Sequence, residues 1–427
     1  MSRAKILLLL VFCLSVRLLM ADESNPEHSS AEAASGDRLS ALPVKDRIEG
    51  LWDVTWERFY LPRTHLFYDY LSSYEPGHEL DHLPSLDEIQ REFPNDCGYD
   101  TGMEDGMISA GVMMSLIVDK YAVTGDEELR RCAKDVFAGI KLSATAHGVP
   151  GFVARAVSAD DLKSIYLSSS RDQYTHAVHG MWLYSRSPLC SPAARTEIGE
   201  ILSAIADRMT ATVIEANNYD SLRADGSRAV RGNSRMWQVK GHEVARLPMI
   251  YAAAWDVTGK REYYDQYQKY LRPAIEQSHT IEEHTPTYAL LQMQASLELL
   301  YVLEQDAKLK EAITQISTSI AARCADRARH ANQRAETLDL TMLCTDWRTG
   351  EGLTSTGRYR KVWYCIRESG EAALAQLIAP SESFPPQQQA FLAEAILRLD
   401  SEKVSSCGIF YLQAAYWKNR RNTKQAE

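Results

Sequence analysis

The stretch MISAGVMMSLIVDKYAVTGDEELRRCAKDVFAGIKLSATA, residues 107–146, decides the fold. Its first part, Met107 to Val118, is apolar on nearly every side, and a helix of that kind has to be enclosed by protein. A terse turn, Thr124-Gly125-Asp126, follows. From Asp126 to Ala146 the apolar residues narrow to one stripe, Leu129, Cys132, Ala133, Val136, Phe137 and Ile140, with charges opposite, so this second helix keeps one wet face. An enclosed helix is thus joined by a short turn to a surface helix.

The same unit recurs along the chain. YAVTGDEELRR is echoed by WDVTGKREYYD, and the surface pattern returns in Ile198, Ile201, Leu202, Ile205, Met209 and Val213, and again in Ile313, Ile316, Ile320 and Cys324. Phe391, Leu392, Ala395, Ile396 and Leu399 form another such stripe, whereas Leu290-Leu291 through Leu297 to Tyr301-Val302-Leu303 is enclosed. The reading predicts about twelve helices in about six hairpins. An open solenoid leaves both faces wet, so alternation of enclosed and surface helices points to an all-α (α/α)6 toroid, an inner ring of six helices inside an outer one. The inner helix from about His242 to Val257 contains Pro248, so it either begins near Leu247 or is kinked.

Of the 427 residues, 45% are hydrophobic and 9% aromatic, ample for one large domain, which is placed at residues 42–427. The formal charge of −10 and the lack of a basic patch exclude a nucleic-acid partner. Arg3 and Lys5 ahead of an apolar run from Ile6 to Met20 read as a signal peptide over residues 1–20 of a secreted or periplasmic protein. Residues 21–41, rich in Ser, Ala and Glu, read as a flexible leader, and no later segment looks like an integral membrane helix. Seven cysteines follow the signal without CxxC spacing. Cys132 and Cys324 fall on buried stripes, and a disulfide within Cys344, Cys365 and Cys407 is left open.

Short turns alternate with long connections, namely CGYDTGMEDGM, YLSSSRDQYTHAVHG, GNSRMWQVKGHEVAR, HTIEEHTPTY and CTDWRTGEGLTSTGRYRK, each leading into an enclosed helix. Around a closed ring the long ones share a face, where helix N-termini supply unpaired N–H groups and attract anions. That face receives Asp100, Glu104, Asp105, Arg171, Asp172, Tyr174, His176, Lys240, His242, Glu243, Arg246, Glu283, His284, Arg358 and Arg360, with Tyr99 and Trp237 as aromatic platforms for sugar rings. Duller roles compete. Thr101 and Glu104 fit a capping box, and Asp172 fits a cap. His176 and His179, three apart, resemble a metal pair, but no third ligand accompanies them, so neither metal nor cofactor is expected.

On GYDTGMEDGM and SSSRDQYTHAVHGMW, the chain resembles the six-hairpin glycosidases, in particular the unsaturated glucuronyl hydrolases and related glucuronidases. The resemblance implies two Asp residues on neighbouring inner helices, here Asp105 and Asp172; Glu104, from the grouping on the loop face, is a third catalytic candidate. It also implies Arg and aromatic side chains that hold a uronate, here with Arg171 nearby; Arg171-Asp172-Gln173-Tyr174 matches part of that family's Arg-x-Gln-x-Trp helix. The expected function is therefore an exported glycoside hydrolase acting on an oligosaccharide or polysaccharide that carries uronic acid, with one carboxyl group as acid and the other as base. The alternatives are a lyase using Tyr174 or His176 as base, and a non-catalytic carbohydrate-binding module. At least two of Arg171, Lys240, Arg246, Arg358 and Arg360 are expected to converge on one pocket, because an anionic sugar needs cations on an acidic protein.

Overall fold

A computed structural model describes residues 43–350, 357–380 and 384–426, with Val44–Glu427 as one compact unit. The signal peptide, the leader and the turn Ser381-Glu382-Ser383 lie outside the described residues.

Among the described residues twelve long helices alternate as the sequence predicts. The outer set is α1 (residues 43–54), α4 (Leu129–Thr145), α6 (Pro192–Thr212), α8 (Arg261–Ser278), α10 (Ala307–Ala335) and α12 (Pro386–Leu397). The inner set is α3 (Gly106–Thr124), α5 (Arg171–Ser185), α7 (Arg246–Thr258), α9 (Thr287–Leu303), α11 (Arg358–Ile378) and α13 (Gly408–Ala426). A short helix, α2 (Leu86–Gln90), and a two-stranded hairpin, β1 (Tyr60–Leu61) and β2 (Leu66–Phe67), occupy the long connection between α1 and α3.

Each inner helix packs on the next, from α3 through α5, α7, α9 and α11 to α13, and α13 returns to α3, so the ring is closed. Five hairpins are consecutive in the chain. The sixth pairs the last inner helix with the first outer one, and Gln413 of α13 donates to the Leu51 carbonyl and to Thr55. Met113, Leu291 and Leu297 are buried, as enclosed helices require. Helix α3 is long and apolar enough to cross a membrane, but it is the core of this ring.

The turns explain the repeat. Gly125 (φ 67°) and Gly259 (φ 71°) end α3 and α7 in the left-handed region, which glycine enters without a Cβ penalty. Helix α7 begins at Arg246, so Pro248 stands in its first turn, where it breaks no helical hydrogen bond, and His242 lies in the loop before it. All seven cysteines described are free thiols, so the pairing left open among Cys344, Cys365 and Cys407 is not made; each of these three is buried.

Two glycines set the spacing of α3 and α5. A Cβ on Gly111 would stand 2.2 Å from the His176 carbonyl oxygen, and one on Gly180 would stand 2.9 Å from the Gly111 backbone. Nothing larger than hydrogen fits, so the two helices meet backbone to backbone.

Candidate active site

The N-terminal ends of α3, α5, α9 and α11 surround a cavity of about 190 Å³, with Tyr99, Glu104, Asp105, Arg155, Asp172, Tyr288, Arg360, Trp363 and Arg367 in its wall. Two of its carboxylates come from the adjacent helices that the glycines bring together. Asp105 is the residue from which α3 starts, and its side chain makes no cap bond. Its Oδ2 instead takes a hydrogen bond from Arg367 Nη1 at 2.6 Å. Asp172 is the second residue of α5. Ser170 caps that helix by accepting from the Gln173 N–H, so Asp172 is free of capping duty and pairs with the buried Arg246. The Asp105 and Asp172 side chains keep 17% and 28% of their surface exposed, which lets both reach a ligand.

Glu104 does not complete a capping box. Its two oxygens accept the N–H groups of Asp100 at 3.0 Å and Gly102 at 2.8 Å, tying the GYDTG loop upstream of the helix, while Thr101 donates to the Gly98 carbonyl. Burial, reinforced by the charge of Asp105, pushes the Glu104 carboxyl up to about 7 against the pull of those N–H groups. Burial also acts to raise Asp172. There it is outweighed by the guanidiniums of Arg246 and Arg171, which hold the carboxyl below its ordinary range. The cavity therefore has a proton-holding side and an ionised side.

Several expected site residues are elsewhere. Arg171 is committed to Glu243 and to the carbonyls of Gly232 and Arg235. Tyr174 is buried, its hydroxyl bonded to the Val153 N–H and the Gly151 carbonyl, because it points outward from the ring into the 149–153 loop. His176 is buried below the cavity, where loss of water lowers its pKa to about 3 and keeps it neutral. His179 pairs with Glu298 at 2.7 Å, and no metal-ligand cluster occurs among the described residues. His242 bonds Glu282, Trp237 meets Tyr270 edge to face, and Lys240, His284 and Arg358 project to solvent. Of the five cations expected to converge, Arg360 lines the cavity and Arg246 reaches it only through Asp172. The lyase reading loses both of its proposed bases, Tyr174 and His176, since neither lines the cavity.

Sequence reading missed Arg155, Tyr288, Trp363, Tyr364 and Arg367 in the cavity wall. Arg155 donates to the Glu104 and Ser168 carbonyls and to the Tyr99 hydroxyl, and its guanidinium lies 4.7 Å from the Tyr99 ring centre, so it braces the cavity roof. For Arg367 a signal existed: Arg367, Glu368 and Glu371 interrupt the otherwise enclosed α11, and charges in such a helix are paired or functional.

A larger hollow of about 840 Å³ lies at the opposite end, among the C-terminal ends of the inner helices. Its charged floor is already matched internally, Lys418 to Asp119 at 3.2 Å and Arg421 to Asp119 at 2.6 Å, whereas the small cavity gathers carboxyl groups with opposed proton affinities. The small cavity is therefore the candidate site.

No family model and no curated protein matches the sequence. Among solved structures, the cellobiose 2-epimerase from Spirochaeta thermophila DSM 6192 is similar over 94% of this chain and 100% of that one, with a TM-score of 0.50 at 14% identity. The fold is an (α/α)6 toroid. A sugar epimerase from a ruminal bacterium aligns over 81% of this chain and 85% of its own, with a TM-score of 0.46 at 13% identity. The likeness to the first is one of toroid architecture; the site described above is read from this chain alone.

Proposed function

We propose that the protein is a carbohydrate-processing enzyme, a glycoside hydrolase whose acid and base are carboxyl groups on opposite sides of the small cavity. The observation that carries this is the asymmetry around the two aspartates. Asp105 stands among Asp69, Glu104 and Glu371, all pushed upward by burial, whereas Asp172 stands among Arg246, Arg171 and Arg155, which keep it ionised. A proton delivered from the Asp105 side to the glycosidic oxygen lets the anomeric C–O bond break. Asp172 faces the developing cation and takes the proton of the water that replaces the leaving group. Tyr99, Tyr288 and Trp363 supply ring faces for the sugar. The volume of about 190 Å³ is below the roughly 300 Å³ of drug-sized pockets, which suits one terminal sugar ring. The architectural likeness to a cellobiose 2-epimerase supports a saccharide substrate. A screen of the mature protein against saturated and unsaturated uronate oligosaccharides and their neutral counterparts tests the reading; no new reducing end from any of them would reject hydrolysis.

The uronate preference rests on Arg360 in the cavity wall. A charged hydrogen bond to a carboxylate contributes about 1.5–3 kcal/mol, at least a tenfold affinity difference. Arg360→Ala is therefore expected to raise KM for a glucuronide about tenfold or more and to leave the matching glucoside unchanged. Equal cleavage of both sugars by the unaltered protein would reject the uronate preference and leave the hydrolase standing.

A second reading, epimerisation at the carbon beside a sugar carbonyl, is favoured by the solved structure with the same toroid. It predicts an isomer of unchanged mass where hydrolysis predicts two fragments. Export is also part of the proposal, on the strength of Arg3, Lys5 and the apolar run to Met20. N-terminal sequencing of the secreted protein should begin near Ala21.

A further inference from the structure

Asp105 is held by a chain of groups that leads from the cavity wall into the core. Arg367, which bonds its Oδ2, donates from Nε to Glu371 Oε1 at 2.6 Å, and the Arg367 guanidinium is packed 4.9 Å from the Trp363 ring centre and 5.2 Å from that of Tyr411. On the other side the Asp105 N–H donates to Asp69 Oδ2 at 3.1 Å, while the Asp69 carbonyl is fixed by the Cys407 N–H and the Trp363 indole. Glu371 and Asp69 are fully buried, and Glu371 Oε2 and Asp69 Oδ1 have no hydrogen-bond partner. The array thus sets three carboxyl groups against one guanidinium.

Neighbouring charges do not restore the balance. Arg155, bonded to the Glu104 and Ser168 carbonyls and the Tyr99 hydroxyl, adds a second buried guanidinium, so the buried carboxyls still outnumber the guanidiniums three to two; Arg360 stands half-exposed in the cavity wall, Arg246 serves Asp172, and Glu368 on the same helix is paired with Arg334. Glu104 is itself a carboxyl with both oxygens occupied. Burial pushes the facing phenols and thiols, Tyr288, Tyr364, Tyr411, Cys324 and Cys407, upward, and it pushes His176 downward, so all six stay neutral near pH 7. Three ionised carboxylates in that setting would bury net negative charge with unpaired oxygens, a costly arrangement.

We propose that Glu371 is a positioning residue that aims Arg367 at Asp105, and that it does so as the neutral acid, its proton on the unpartnered Oε2. This rests on the hydrolase reading for its use, but not for its existence. Glu371→Gln keeps an acceptor for Arg367 Nε and removes the titration; Glu371→Ala removes both. With a saccharide substrate, Glu371→Ala is expected to lower kcat about tenfold or more while KM changes less than about twofold, and Glu371→Gln is expected to recover most of that kcat.

The second arm needs no substrate. Burial raises the folded-state pKa of Glu371 from the ordinary 4.5 to about 7. The folded protein therefore keeps a proton that the unfolded chain releases, and this share of stability is lost as pH rises from about 4.5 to about 7. Glu371→Gln lacks that loss, so its melting temperature should gain on the unaltered protein across this window. Melting curves that stay parallel in pH would overturn the proton on Glu371, and a Glu371→Ala kcat within about twofold of the original would overturn the positioning role. If no saccharide is turned over but the melting curves diverge as stated, the hydrolase reading fails and the proton on Glu371 stands.

Discussion

Asp172→Asn is expected to lower turnover of a saccharide substrate by about 10²–10⁴-fold, the usual loss when a proton-transfer group is removed. The change also has a structural cost. Arg246 is buried, and Asp172 is the carboxylate that answers its charge, so an amide leaves a guanidinium under-compensated in the core. Breaking a buried pair on one side costs about 3–5 kcal/mol. The melting temperature should therefore fall together with the rate, and a double variant separates the two effects. Asp172→Asn with Arg246→Met removes the orphaned charge and should recover much of the stability while leaving activity as low as in the single variant. Recovery of activity in the double variant would show that Asp172 acts only as a counter-ion.

Gly111→Val is expected to abolish the closed ring, with a loss above about 4 kcal/mol, beyond ordinary core substitutions. The new Cβ would meet the His176 carbonyl at 2.2 Å, and backbone cannot step aside as a side-chain tip can. Parting α3 from α5 also moves Asp105 away from Asp172, so residual folded protein should be inactive. Gly50→Ala is the control. Gly50 lies within α1 with its nearest neighbour at 3.6 Å, an ordinary contact, and loses only the flexibility of glycine, so it should be neutral or gain about 0.5–1 kcal/mol. Urea unfolding of both variants checks the pair, and a Gly111→Val midpoint near that of the unaltered protein would refute the backbone contact.

The ring was legible because burial writes itself into helix periodicity, as in Met107–Val118 beside the stripe from Leu129 to Ile140. The face on which the small cavity lies was legible too, since long loops and helix N-termini locate it. What stayed hidden was direction. Lys240, His284 and Arg358 sit in the right loops but turn outward, and Tyr174 sits on the right helix but points away from the axis. Loop side chains have no periodicity to report which way they turn. Arg155 and Asp69 were invisible for a different reason: each is brought to the site by loop contacts such as those with Tyr99 and with the Asp105 N–H, pairings between residues far apart in the chain.

The pairing of α13 with α1 dictates when the molecule can be finished. Residues 408–426 are needed to cover α1, through Gln413, and to cover the apolar face of α3, and they meet Asp119 through Lys418 and Arg421. While the chain is being made, the first two of these helices wait without their neighbour for nearly the whole length of synthesis. The sequence separation across this seam makes it a high-contact-order step, closed late and slowly. Until the last helix of the ring has emerged, the nascent chain is an open arc with an oily edge, vulnerable to aggregation and dependent on whatever shields that edge in the cell.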